Sequence, residues 1–156
     1  MRNWIIAIAL LGTALPAWAD EHLPPVTNEA VKKECGACHM AFQPQFLPRE
    51  SWRKIMDRLP RHFGSKVDLT EAKRREIEAY HLANAADVSH APEGRNFLAS
   101  IGSGPAPWRI THVPHWSLHH RDAVHKALMS DRGIESKADC LACHRGADDT
   151  GLYTGN

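Results

Sequence analysis

The sequence has almost no surplus of charge: 19 Lys and Arg stand against 18 Asp and Glu, a formal charge of +1. Nucleic-acid-binding domains carry a marked basic excess, so this balance argues against that class. Long apolar runs are missing too. The longest, Trp4 to Leu15, has twelve residues, short of the roughly twenty that cross a bilayer. There is no compositional bias: 43% hydrophobic and 24% charged residues exclude disordered, collagen-like and coiled-coil chains. The 156 residues suffice for one ordinary domain or two very small ones, and exclude a large multidomain enzyme. Cysteine is sparse, at four. What is abundant is histidine, eleven residues, a surplus that packing does not require and metal binding would explain.

The amino terminus reads as an export signal. Met1-Arg2-Asn3 is a short basic start, Trp4 to Leu15 the apolar stretch, and Pro16-Ala17-Trp18-Ala19 ends on small residues suited to signal peptidase. Cleavage after Ala19 leaves 137 residues with all eleven His and all four Cys. The expected compartment is the periplasm, with no membrane span after cleavage. Thiols there do not stay free.

All four Cys lie in two copies of one motif, Cys35-Gly36-Ala37-Cys38-His39 and Cys140-Leu141-Ala142-Cys143-His144. The pattern C-x-x-C-H attaches haem c. Two thiols one helical turn apart reach the two vinyl groups of one porphyrin edge as thioethers, and the next residue turns its imidazole under the iron. A redox dithiol needs no following His, and a zinc site combines its ligands differently. Two haem c groups are expected, held by Cys35, Cys38, Cys140 and Cys143, with His39 and His144 as proximal ligands.

If both irons are six-coordinate, two further ligands come from the nine other His or from Met. Met40 adjoins His39 and cannot reach the far face of its own haem. Met56, spaced with Trp52, Ile55 and Leu59, reads as core, and Met129 as a helix residue. The balance tilts to His on both irons, which gives a lower potential than Met.

The first part, 20–86, reads as three helices, about 27–37, 49–60 and 69–86, with Asp68 and Glu71 as a capping-box-like start for the third. Pro60 closes the second, and His62-Phe63-Gly64 follows as a turn. From there His62 can approach a haem, Phe63 can bury a ring beside it and Gly64 lets the chain reverse. His81 competes with His62 from within a charged helix. Residues 87–108 read as a linker, rich in turn formers and poor in periodicity. In the last part, 109–156, Pro114 opens a helix on which Trp116, His120, Val124 and Leu128 recur every four residues. His120 faces an apolar porphyrin, and His119 points about a hundred degrees away. His125, His115 and His112 stay in reserve, and His22 and His90 lie in loops. So short a segment builds little core, so its folding should depend on the haem.

The arrangement resembles the small periplasmic dihaem cytochromes c. The residues that carry the likeness are Glu34-Cys35 to Met40, the Trp52 to Leu59 helix, His62-Phe63-Gly64, Tyr80 to Ala86, Arg109-Ile110-Thr111, and Ser136 to Arg145. The resemblance implies a mainly α chain: a class I cytochrome c-like first haem domain and a smaller, irregular α second one. It implies bis-His haems with His62 and His120 as distal ligands. As partners it implies redox proteins such as a monohaem oxygen-binding cytochrome c or a membrane b-type cytochrome. His81, His112, His115 and His119 are departures from the family pattern.

An iron with His on both faces has no position for a substrate and suits electron transfer. The expectation is a low-potential periplasmic electron carrier rather than an enzyme. The alternatives are a haem protein with one five-coordinate iron that binds a gas or small oxidant, or a dihaem subunit of a periplasmic reductase. Against the last, the motifs begin as far apart as positions 35 and 140.

Overall fold

The structure, a computed structural model, describes residues 22–121 and 123–153, the side chains of 123 and 124 excepted. The expected export signal, 1–19, lies outside the described residues. Seven α-helices joined by short 3-10 turns make up the described chain, without a sheet. None of them is long and apolar enough to cross a membrane.

Helix α1, Glu29–Cys35, starts where the Asn28 side chain accepts a hydrogen bond from Val31 N at 3.0 Å, and delivers Cys35 from its last turn. Helix α2, Arg49–Met56, follows Pro48 and buries Ser51, Trp52, Ile55 and Met56. The expected second helix thus ends short of Pro60, which sits in a 3-10 turn, Leu59–Arg61. Helix α3, Glu71–Asn84, is capped by Thr70, whose hydroxyl accepts from Lys73 N at 3.3 Å. Asp68, expected to cap it, instead pairs with Lys66 at 3.2 Å.

Residues 87–108, expected as a linker, are partly helical. They contain helix α4, Pro92–Ile101, with Pro92 in its first turn and Gly102 at φ 58 after its end. Only Gly94 and Phe97 of α4 are fully buried, so its apolar period is faint. Gly94 lies against Gln45, where an added Cβ would stand 3.0 Å from the Gln45 Cβ.

Helices α5, Pro114–His119, and α6, Ala123–Asp131, replace the single expected helix. His120 ends α5 with φ −121 and ψ 19, outside helical geometry, so the four-residue stripe does not run on: Leu128 is exposed. Helix α7, Ala147–Thr150, ends at Gly151, whose carbonyl accepts Leu23 N at 2.9 Å. At φ 70, and with Leu23 O 1.7 Å from where a Cβ would be, Gly151 admits no side chain.

Two buried clusters result. The smaller joins Val26, Val31, Met56, Leu59 and Ile77. The larger runs from Leu47, Trp52 and Phe46 through Phe97 to Val113, Trp116 and Tyr153, drawing side chains from both ends of the chain. Gln43 ties the ends together: fully buried, it donates from Nε2 to Ala147 O at 2.9 Å and accepts from the Tyr153 hydroxyl.

Candidate haem sites

The first motif leaves α1 with Cys35 half-buried and Cys38 exposed. Burial first, then the Glu34 carboxylate, pushes the Cys35 thiol up to about 11. His39 donates from Nδ1 to Met40 O at 2.7 Å and stacks on Phe42, ring centres 4.7 Å apart. That bond fixes the tautomer and leaves Nε2 free to act as a donor to a metal.

Opposite His39 stands His62, ring centres 6.1 Å apart and planes 27° from parallel. The turn that carries it is held by Ser65 N donating to His62 O at 2.9 Å. Burial, then His39 and Arg109, lower the His62 pKa and favour neutral imidazole. Phe63 is 40% exposed to the protein's surroundings with φ 50, and Arg109 Cζ sits 4.0 Å over its ring.

His81 does not join this pair. It is buried on α3, donates from Nδ1 to Ile77 O at 2.8 Å and packs on Trp52 at 4.1 Å between ring centres. Burial pushes its pKa down to about 4.

In the second site the motif forms a 3-10 turn, Cys140–Ala142, with His144 N bonded to Cys140 O at 2.8 Å. Burial first, then the Asp139 carboxylate, raises the Cys140 thiol to about 12. His144 faces His120, ring centres 6.0 Å apart and planes 72° apart. His120 donates from Nδ1 to Trp116 O at 2.8 Å, and burial, then its histidine neighbours, lower its pKa against the opposing pull of that carbonyl. His125 lies 5.2 Å from His120 by ring centres. His115 instead pairs with Glu93, Nε2 to Oε1 2.6 Å, and stands 4.6 Å from the exposed His119. His22, His90 and His112 are exposed.

Sequence reasoning missed the Glu93–His115 pair, whose partners lie 22 positions apart, and Tyr153, whose ring lies 5.4 Å from His144. Neither leaves a local pattern. Tyr153 also completes a ring series between the sites: Phe42 to Phe46 is 6.4 Å, Phe46 to Tyr153 is 5.3 Å.

A chain folded around two C-x-x-C-H turns, each presenting an imidazole to a facing imidazole, is a c-type cytochrome with two haem sites. The model of the dihaem cytochrome c family matches residues 31–153. The chain belongs to that family. Two solved structures of a dihaem cytochrome c from Rhodobacter sphaeroides are similar to it. One has 39% identity and a TM-score of 0.72 over 82% of this chain and 98% of the other. The second has 38% identity and a TM-score of 0.65 over 83% and 99%. A dihaem cytochrome from Shewanella baltica OS155 has 26% identity and a TM-score of 0.64 over 81% and 87%. No curated protein matches. The family accounts for two Cys pairs serving two haem c groups, and its members are typically electron carriers rather than enzymes.

Proposed function

We propose that this protein is a low-potential periplasmic electron carrier with two bis-His haems. Cys35 and Cys38 hold the first haem and Cys140 and Cys143 the second. His39 and His144 are the proximal ligands, His62 and His120 the distal ones. The observation that carries this is the pair of ring separations, 6.1 and 6.0 Å. Two metal–imidazole bonds of about 2 Å each, with each ring centre about 1.1 Å behind its nitrogen, put the centres roughly 6 Å apart.

Haem c supplies a one-electron iron couple to the site. The protein's part is to hold, orient and exclude. The Met40 and Trp116 carbonyls fix the Nδ1–H tautomer of His39 and His120 and leave Nε2 of each as the nitrogen able to bind iron. Facing imidazoles leave no open position for a substrate, which favours outer-sphere exchange over catalysis. Paired His ligands set a lower potential than a His/Met pair. The Phe42–Phe46–Tyr153 series packs aromatic rings between the two sites.

The organisation that goes with this reading is a class I-like first haem domain, 20–86, and a small irregular α domain, 109–156. Supporting the first half, α1 packs on α3 beside the first motif. Export with loss of 1–19 places the carrier in the periplasm. Partners there would be a monohaem oxygen-binding cytochrome or a membrane b-type cytochrome, as the family resemblance implies.

Carbon monoxide tests the reading against a gas-binding one. Fully reduced holoprotein should show no carbonyl adduct in its Soret band. A stoichiometric adduct at either haem would establish an open iron and overturn the proposal.

A further inference from the structure

The chain is close to neutral, yet cationic groups collect around the turn that carries His62. Arg58 Cζ lies 4.0 Å over the Trp108 ring and Arg109 Cζ 4.0 Å over the Phe63 ring. These crossed contacts join 58–63 to 108–109, and Arg61 lies between Arg58 and His62 in the chain. All three arginines are exposed, as is Phe63. Among the described residues none of the three has a carboxylate within 4.0 Å. Asp57, exposed and next to Arg58, makes no ion contact with it either.

Each feature suits a docking surface. Arginines already laid on aromatic rings lose little freedom on binding and keep their forks for carboxylates. An exposed ring among arginines has the composition of interface anchors. Phe63 at φ 50 is an uncommon conformation for an aromatic residue, of the kind kept where function requires it.

We propose that this face, with Arg109 over Phe63, Arg58 over the adjoining Trp108 and Arg61 between Arg58 and Phe63 in the chain, is the docking surface for an acidic one-electron carrier protein. The proposal rests on the electron-transfer reading. In the exchange the protein loses one electron, the partner's oxidised centre gains one, and no atom or proton moves. Carboxylates on the partner meet the guanidiniums, and the positive field raises the encounter rate at low salt.

Hexacyanochromate(III), a paramagnetic trianion inert to this exchange, is the probe. Added to the holoprotein, it should broaden the backbone amide signals of 58–64 and 108–110 before any others. Raising the salt should weaken the effect, because the Debye length falls to about 8 Å at 0.15 M. Arg61→Gln, whose side chain makes no described contact and so carries little folding risk, should reduce the broadening. It should also slow oxidation of reduced protein by ferricyanide several-fold at low salt while leaving oxidation by hexaammineruthenium(III) no slower. Broadening centred elsewhere, or spread evenly, would overturn the proposal. So would a patch left silent because its arginines hold haem carboxylates. The low-spin spectrum of the same sample reads ligation separately, so a failed anion site and a failed bis-His reading give different results.

Discussion

His120 lies flat on Trp116: their ring centres are 4.3 Å apart and their planes only 2° from parallel. The backbone carbonyl of the same tryptophan also accepts a hydrogen bond from His120 Nδ1–H. One residue thereby fixes both the tilt and the tautomer of the imidazole that faces His144. Trp116→Phe, which keeps a stacking ring, should leave both ferric haems low-spin. Trp116→Leu should give one haem a partly high-spin spectrum and some affinity for carbon monoxide. His120→Ala should make that haem high-spin outright and His119→Ala should not. Should the two histidine variants exchange results, the ligand would move by one position.

Gln43 makes a second prediction, about the union of the two chain ends. Its amide reaches Ala147 O and its carbonyl takes the Tyr153 hydroxyl, with the side chain wholly buried. Gln43→Leu leaves both partners without a bond, and a buried orphan costs about 1–3 kcal/mol. Chemical denaturation of the holoprotein should therefore show a loss of that order. Gln43→Leu combined with Tyr153→Phe should cost less than the two single losses added together, since they remove one shared bond.

His81 predicts a dependence on pH. Its folded pKa is near 4 because burial disfavours the charge, against an ordinary 6.5 when unfolded. Above 6.5 both states are neutral and the group has no effect. Between 6.5 and 4 the unfolded chain takes up the proton and the folded one does not, so stability falls as pH falls. The loss by pH 4 should be on the order of 3 kcal/mol. His81→Phe, which can keep the packing on Trp52, should flatten the stability profile across that window. An equally steep profile in the variant would assign the acid loss to other groups.

Legibility in the sequence followed covalent and local chemistry. The haem motifs were plain because thioether formation fixes their spacing. Trp52, Ile55, Met56 and Leu59 read as core because a helical period repeats across them, and they are buried. Helix α4 was hidden because Gly94 buries against Gln45 through having no side chain, which leaves Phe97 as its one large buried residue. The break at His120 was invisible to periodicity, since Trp116 and Leu128 stay in register across a helix that stops. Thr70 took the cap from Asp68 two residues on, a margin within which several capping residues compete. The Glu93–His115 pair and the Gln43–Tyr153 bond join distant positions, and no local pattern announces such contacts.

The central claim, two irons each closed by two imidazoles, is tested most directly by low-temperature electron paramagnetic resonance of the ferric holoprotein with spin quantitation. Imidazole planes 27° apart at His39 and His62 split the iron orbitals that they overlap, whereas planes 72° apart at His120 and His144 leave them nearly degenerate. The account predicts two low-spin signals of equal weight, one ordinary rhombic and one strongly anisotropic with a larger highest g value. A stoichiometric high-spin signal, or a haem carrying the near-infrared signature of methionine ligation, would contradict it.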